Sequence, residues 1–170
     1  MRTKKKTKYI RIVKPLHVFA IAALWLLAAF APVDREADKR ALQKIFDEEM
    51  QDYRSWSLIP GSEALVDGSG PHGDYITTYV NDVALKAIES KAASMPDGAI
   101  IVKDNFKKDK EYRSTVIMKK TDGKWFWGLL KPYGKARSAG LGAQGQRMDT
   151  CEKCHNSAKK DGVFYWKDPA

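Results

Sequence analysis

Two cysteines and a histidine near the C-terminal end of the chain have a spacing that can do chemistry. Cys151, Cys154 and His155 form the pattern C-x-x-C-H, and these two cysteines are the only ones in the sequence. In c-type haem attachment, two thiols with this spacing add to the haem vinyl groups, and the adjacent imidazole coordinates iron. Residues three and four apart share one face of a helix. The pattern therefore predicts one covalently bound haem c on a short helix, with His155 as the iron ligand.

Two other interpretations of the cysteine pair are weaker. A thioredoxin-like C-x-x-C lies near the start of a βαβ unit, whereas this pair follows a polar loop close to the C-terminus. A structural zinc site needs four ligands, normally Cys or His, and only His72 is left to complete one outside the N-terminal segment. We interpret His72 as a loop histidine rather than a sixth ligand of the haem iron.

The first 31 residues have the order of a secretory signal. A basic stretch precedes the apolar run Leu16–Ala31, which ends in the small-x-small pattern Ala29–Ala31. This run is shorter than the ~20 residues that span a bilayer comfortably. Because Pro32 directly after the candidate site hinders cleavage, a cleaved signal peptide and an uncleaved anchor both stay open. We expect export to the periplasm, with residues 32–170 forming the haem domain.

The charge of the chain does not indicate nucleic-acid binding. The formal net charge is +9, but seven of the 30 basic residues precede Pro32, so the remaining 23 face 21 acidic residues and leave +2. A basic face for nucleic acid has little support in that balance. With 170 residues, of which 44% are hydrophobic, the chain is typical of one compact domain.

Hydrophobic patterning predicts the elements that position the haem motif. A helix is expected at Asp34–Tyr53, because apolar residues recur there with helical spacing. A second helix is expected from Asp82 to about Ser94, because Asn81 can cap its start. β-branched and aromatic runs predict strands, and Asp122-Gly123 predicts a hairpin turn. The predicted strands are Tyr75–Val80, Ala99–Lys103, Tyr112–Lys119 and Trp125–Leu130. Glycine-rich or Pro-rich composition predicts loops at Trp56–Gly70 and Pro132–Gln146.

This layout excludes two kinds of c-type cytochrome. A small electron-transfer cytochrome c usually has its haem motif near the start and an axial Met downstream, but no Met or His follows His155 here. A four-helix cytochrome c-prime does not fit the strand patterns of the middle of the chain. A β-rich haem protein with three or more antiparallel strands remains.

At this point the sequence resembles the cytochrome P-460 family, which includes the related cytochromes c-prime-beta. The resemblance covers most of the chain from about Lys44 to Trp166. It implies an α+β fold, with a mainly antiparallel β-sheet, flanking helices and a C-terminal haem-binding helix, and a five-coordinate haem whose proximal ligand is His155. The blocks that carry it are Tyr79–Asp82, Pro96–Asp104, Asp122–Trp127, Cys151–His155 and Asp161–Phe164.

Lys103 and Gln146 are the catalytic positions that the resemblance suggests. In cytochromes P-460 a lysine at the end of the G-x-x-x-V-K strand is bonded to a haem meso carbon, whereas cytochromes c-prime-beta lack that bond. Lys103 matches this position, although strand lysines usually point to solvent. Hydroxylamine-oxidising members carry a distal carboxylate where an ungapped count reaches Gln146, which cannot act as a base. Asp149 could substitute, but its place beside the haem helix indicates a helix cap.

The distal side of the haem is less defined by the sequence. Met118, Met148 and the aromatic run from 125 to 127 are its candidates besides His72. Alternation along a strand puts Trp125 and Trp127 on one face and Phe126 on the other, so either set could cover the haem.

Three functional hypotheses follow from the resemblance and the motif. The first is hydroxylamine oxidation to NO or N2O, with electrons passed to a small periplasmic carrier. The second is binding of NO or CO without catalysis, as in cytochromes c-prime-beta. The third is electron transfer by a six-coordinate haem. We favour the first because Lys103 is present, and a monomer and a homodimer both stay open.

Overall fold

The structure, a computed structural model, describes residues 34–141 and 148–164, and it confirms the predicted α+β fold. Over these residues the chain forms three α-helices and seven strands of one antiparallel sheet. The predicted signal segment and Gln146 lie outside the described residues. In this part of the chain no helix has the length and apolar character needed to cross a membrane. The elements are α1 (Arg35–Glu49), β1 (Ser57–Leu58), β2 (Val66–Asp67), β3 (Tyr75–Val80), α2 (Asp82–Glu89), β4 (Ile100–Phe106), β5 (Tyr112–Thr121), β6 (Lys124–Leu130), β7 (Ala136–Leu141) and α3 (Asp149–His155).

Strands β3 to β7 lie side by side in chain order, and the short strands β1 and β2 both pair with β3. The predicted hairpin joins β5 to β6, and its turn residues Asp122 and Gly123 have φ values of 50° and 70°. Two consecutive left-handed residues match the twist of an antiparallel hairpin, which explains the Asp-Gly pair. The central strands β4 and β5 are thus held on both sides.

Alternation along the strands divides the hydrophobic core between the two faces of the sheet. One face packs against Leu42 of α1 through Val102, Ile117 and Phe126, among others. The other face carries a second cluster that includes Trp127. The prediction that Trp127 and Phe126 lie on opposite faces is therefore confirmed. The second face is the one that α3 covers.

Asn81 connects the start of α2 to the start of β4. Its side-chain oxygen accepts hydrogen bonds from the backbone N–H groups of Ala84 and Ile100, both at 3.0 Å, and its amide donates to the Gly98 carbonyl at 2.9 Å. The predicted helix cap is confirmed. The same side chain also fixes the turn that leads into β4, the strand that carries Lys103.

Several predicted boundaries differ from the structure. Strand β4 continues three residues beyond the predicted end at Lys103, and the predicted loop Trp56–Gly70 includes the short strands β1 and β2. The region 132–146 was expected to be a loop, but Ala136–Leu141 forms β7, because pairing with β6 overrides a composition with few β-branched residues. Helix α2 ends at Glu89 rather than near Ser94, because Lys91 adopts a left-handed conformation with φ of 56°. Helix α1 ends at Glu49, and a separate 3-10 turn follows at Tyr53–Ser55.

Candidate haem site

The C-x-x-C-H residues lie on α3, which faces a cavity over the second face of the sheet. Cys151, Cys154 and His155 all line this cavity, as the helical spacing predicts. The cavity has a volume of about 150 Å³ and opens to solvent on one side. His155 is buried, whereas Cys154 is exposed at the edge of the site. The three groups therefore line one site that is open to solvent.

One ring nitrogen of His155 forms a hydrogen bond within the protein. Its Nδ1 lies 2.7 Å from the carbonyl oxygen of Gly162, so Nδ1–H donates to that oxygen. Burial lowers the pKa of His155 even though this hydrogen bond acts in the opposite direction. With Nδ1–H bonded to this oxygen, Nε2 is the ring nitrogen left to act as a lone-pair donor. This is the arrangement that metal-ligating histidines use.

Lys103 also lines this cavity, together with Cys154 and His155. It lies in the centre of the sheet, paired with Thr78 of β3 and Val116 of β5, and these two residues line the cavity beside it. Burial lowers the pKa of Lys103 to about 8, and the nearby Cys154 partly counteracts this effect. The side chain thus projects toward the haem motif rather than into bulk solvent. The bond between Lys103 and a haem remains a prediction.

The family model of cytochrome P-460 matches residues 50–165, more than half of the chain. The chain belongs to the cytochrome P-460 family. A search of curated proteins found no match. Membership establishes that this protein is a haem-binding cytochrome, and the matched residues include both Lys103 and the C-x-x-C-H motif.

The chemistry of the other lining residues suits a haem in this cytochrome P-460 chain. Most lining side chains are apolar, among them Ile101, Met118 and Phe164. Two buried polar atoms in the lining, the Thr78 hydroxyl and the Trp127 indole nitrogen, have no hydrogen-bond partner in the described part of the chain. An unpaired buried polar group costs about 1–3 kcal/mol. A haem with its carboxylates and an iron-bound ligand supplies both an apolar macrocycle and polar partners.

His72 lies in the cavity of the cytochrome P-460 domain as well. Its ring centroid is 6.1 Å from that of His155, and burial, more than the charges of Lys103 and His155, lowers its pKa to about 4. We expected a loop histidine, and His72 does lie in a 3-10 turn, Gly70–His72. The side chain nevertheless points into the site as a neutral imidazole.

Neither of the positions considered for a catalytic base, Gln146 and Asp149, is among the described residues that line the cavity. Gln146 is outside the described residues, and no Asp or Glu is among the described residues that line the cavity. Asp149 was expected to cap α3, but Met148 occupies the cap position and Asp149 instead pairs with Lys153 at 2.8 Å. Asp149 is the first residue of the helix, where a negative charge is favourable without a capping hydrogen bond.

One further group of residues near His155 was not predicted from the sequence. Asp161 forms an ion pair with Lys120 of β5, and its backbone oxygen accepts a hydrogen bond from Trp125. Lys120 and Asp161 are 41 positions apart, so no local pattern connects them. The nearest signal in the sequence was the Asp161–Phe164 block, which carried only the resemblance.

Proposed function

We propose that this protein is an exported cytochrome P-460 with a single covalently bound haem c, and that it oxidises hydroxylamine at this haem. The observation that carries the proposal is the position of Lys103, which lines the same cavity as Cys151, Cys154 and His155. A lysine at this place supports the enzyme hypothesis because the haem cross-link is what separates the enzymes of the family from its gas-binding members.

Four side chains would hold the haem. The thiols of Cys151 and Cys154 would add across the haem vinyl groups to form thioethers, and Nε2 of His155 would ligate the iron. Nζ of Lys103 would replace the hydrogen of a haem meso carbon. That step forms one C–N bond, breaks one N–H and one C–H bond, and passes two electrons and two protons to a two-electron oxidant such as a peroxide. The bound haem supplies an iron that binds a small nitrogen ligand and takes up electrons. The balance for oxidation to nitric oxide is NH2OH → NO + 3 H⁺ + 3 e⁻. The electrons would pass one at a time to a small periplasmic redox carrier.

The chain itself supplies an apolar lining and hydrogen-bond donors. Apolar side chains such as Met118 and Phe164 make most of the described lining, and the buried donors Thr78 and Trp127 are available to a polar ligand. Three protons must leave for each hydroxylamine oxidised to NO. Since the described lining holds no carboxylate and Gln146 is not a base, we expect oxidation to be slow or to stop at nitric oxide.

The same apolar lining supports a second candidate function. A cavity with few polar groups favours small neutral ligands, so binding of NO or CO without catalysis is the alternative. It would resemble the function of the cytochromes c-prime-beta.

Absorption spectra and turnover distinguish these functions. We expect the ferrous protein to have a Soret band well to the red of ordinary haem c, and to reduce an added one-electron acceptor when given hydroxylamine. An unmodified haem c spectrum with NO binding and no hydroxylamine oxidation would overturn the enzyme proposal in favour of gas binding. A six-coordinate haem that becomes five-coordinate in His72→Ala would instead support electron transfer.

A further inference from the structure

We propose that Asp161 and Lys120 are positioning residues for the axial imidazole of His155. They act through the turn at Asp161-Gly162, whose carbonyl group receives the His155 hydrogen bond. The inference rests on ligation of the haem iron by His155 and does not depend on hydroxylamine oxidation.

The Asp161 carboxylate is held by three hydrogen bonds from two separate segments, strand β5 and the connection between α2 and β4. Lys120 Nζ lies 2.8 Å from Oδ1 and 3.0 Å from Oδ2, and the backbone N–H of Met95 donates to Oδ2 at 2.8 Å. The side chains of Lys120 and Asp161 are only 8% and 17% exposed. Breaking such a well-shielded pair leaves one charge without its partner, which is far more costly than breaking a surface ion pair.

The backbone of Asp161 is held by the neighbouring strand. Trp125 Nε1–H donates to the Asp161 carbonyl at 2.7 Å. Trp125 is the cross-strand partner of Lys120, and the Lys120 ammonium group lies 4.9 Å from the centroid of its ring. One pair of adjacent residues in β5 and β6 therefore fixes both the side chain and the backbone of Asp161.

The turn itself directs the next carbonyl group toward the histidine. Asp161 and Gly162 have φ values of 43° and 76°, two consecutive left-handed conformations. Such a conformation is unfavourable for a residue with a side chain, although Asp tolerates it better than most, and glycine adopts it readily. The anchored Asp161 keeps the turn in this form. The Gly162 carbonyl then lies 2.7 Å from Nδ1 of His155.

The expected chemical effect is on the donor strength of the axial ligand. A hydrogen bond from Nδ1–H to an oxygen acceptor fixes ring orientation and makes the coordinating nitrogen more basic. A stronger donor stabilises ferric iron relative to ferrous iron. Loosening the turn should therefore raise the reduction potential and shift the ferrous iron–histidine stretching band to lower frequency.

The test uses the exported holoprotein and compares Asp161→Asn with Lys120→Met. Each variant removes one charge of the pair, and the two charges have opposite signs. A purely electrostatic effect on the haem would shift the reduction potential up in the first variant and down in the second. Loss of positioning shifts the potential up and the resonance Raman iron–histidine band down in both. Lys120→Arg, which keeps the cation, should restore most of the wild-type values.

Lys119→Met is the matched control. Lys119 is the neighbouring strand lysine, and it pairs with Glu49 of α1 at 2.5 Å and 2.6 Å. Its removal also breaks a Lys–carboxylate pair, but one that does not reach the turn at Asp161, so the potential and the band should stay as in wild type. An unshifted band in both test variants, or potentials that move in opposite directions, would overturn the proposal.

A milder variant covers the case in which loss of the ion pair prevents folding. Trp125→Phe keeps an aromatic ring but removes the N–H that donates to the Asp161 carbonyl. We expect a smaller shift of the band in the same direction, with haem still attached by its thioethers. A band identical to that of the wild type would contradict the positioning role as well.

Discussion

Lys103 and Lys119 lie on opposite faces of the sheet. Lys119 pairs with Glu49 of α1, whereas Lys103 lines the cavity that α3 faces. Its lowered pKa, about 8, increases the share of the uncharged amine at neutral pH. An uncharged amine is the nucleophilic form of lysine. The position of Lys103 and its increased share of free amine both favour the proposed bond to the macrocycle.

Replacing Lys103 by Met tests the cross-link at the level of one side chain. We expect the Soret band of the ferrous protein to return to that of ordinary haem c, while the haem stays attached through Cys151 and Cys154. Hydroxylamine turnover should fall because the cross-link is the feature that marks the enzymes. Lys119→Met is the control and should keep the wild-type spectrum. Identical spectra for wild type and Lys103→Met would show that no bond forms.

A carboxylate at position 146 should supply the base that the described lining does not contain. We expect Gln146→Glu to increase hydroxylamine turnover by about 100-fold, the lower end of the effect of a positioned base in favourable geometry. Gln144→Glu adds the same charge two residues earlier and should leave the rate within a few-fold of the wild type. Equal gains in both variants would indicate a general charge effect, and no gain in either would argue against this position.

At the scale of elements, a buried polar cluster connects the turn after α1 to the centre of the sheet. Asp104 follows Lys103 in β4 but points to the opposite face, where it is 1% exposed. It accepts hydrogen bonds from the Tyr53 hydroxyl and from Arg54 Nε, both at 2.8 Å, and from the Thr115 hydroxyl. These hydrogen bonds therefore hold β4, the strand that carries Lys103, on the face opposite the cavity.

Asp104→Ala should therefore destabilise the fold without changing the haem site directly. The substitution removes the acceptor of three hydrogen bonds, but the hydroxyls of Tyr53 and Thr115 keep their mutual contact at 3.1 Å and the Arg54 side chain is 58% exposed. We therefore expect a loss of about 1–3 kcal/mol. The urea midpoint of the holoprotein measures this loss, and the Soret band should stay in place. Asp109→Ala, in the exposed β4–β5 connection, should change stability by no more than about 0.5 kcal/mol. Equal midpoints for the two variants would contradict the role of the cluster.

Local signals predicted the elements that local interactions define. Strand Tyr75–Val80 has the predicted bounds, and Asn81 and the Asp122-Gly123 turn act as their residue types indicate. Strand β7 was missed because its sequence, Ala136–Leu141, has little strand propensity of its own. It becomes a strand through its register with β6, such as Trp127 opposite Gly140, and pairing of this kind is not visible in one segment.

The same distinction applies to the site. The C-x-x-C-H motif indicates its chemistry within five residues, so the sequence alone was enough to make Cys151, Cys154 and His155 the candidate haem ligands. Lys103 became a candidate only through the resemblance, because nothing local distinguishes it from a solvent-facing lysine. The Lys120–Asp161 pair depends on contacts across 41 positions, and no spacing rule predicts it.

At the scale of the whole molecule, the two faces of the sheet differ in what covers them. The face under α1 is a continuous apolar core that includes Leu42 and Val102, both 0% exposed. The other face includes the candidate haem cavity, and its cluster contacts Cys151 of α3. Burial on the first face needs only the chain itself. If the haem binds where we propose, it completes burial on the second face, and the stability of this face should depend on haem attachment.

Hydrogen exchange on a haem-free variant tests this dependence. In Cys151→Ala/Cys154→Ala, no thioether can form, and washing at mild acid pH removes any haem held by His155 alone. We expect amides of residues 148–164 to exchange rapidly, because α3 and the turn at Asp161 lose the group they pack against. Amides of α1, β4, β5 and β6 should keep most of their protection, since the core under α1 is intact and local unfolding need not spread across the sheet. The holoprotein, measured in parallel, should protect both regions. Loss of protection throughout the variant would show instead that the two faces fold as one unit that requires haem, and full protection of α3 would show that haem contributes little to its packing.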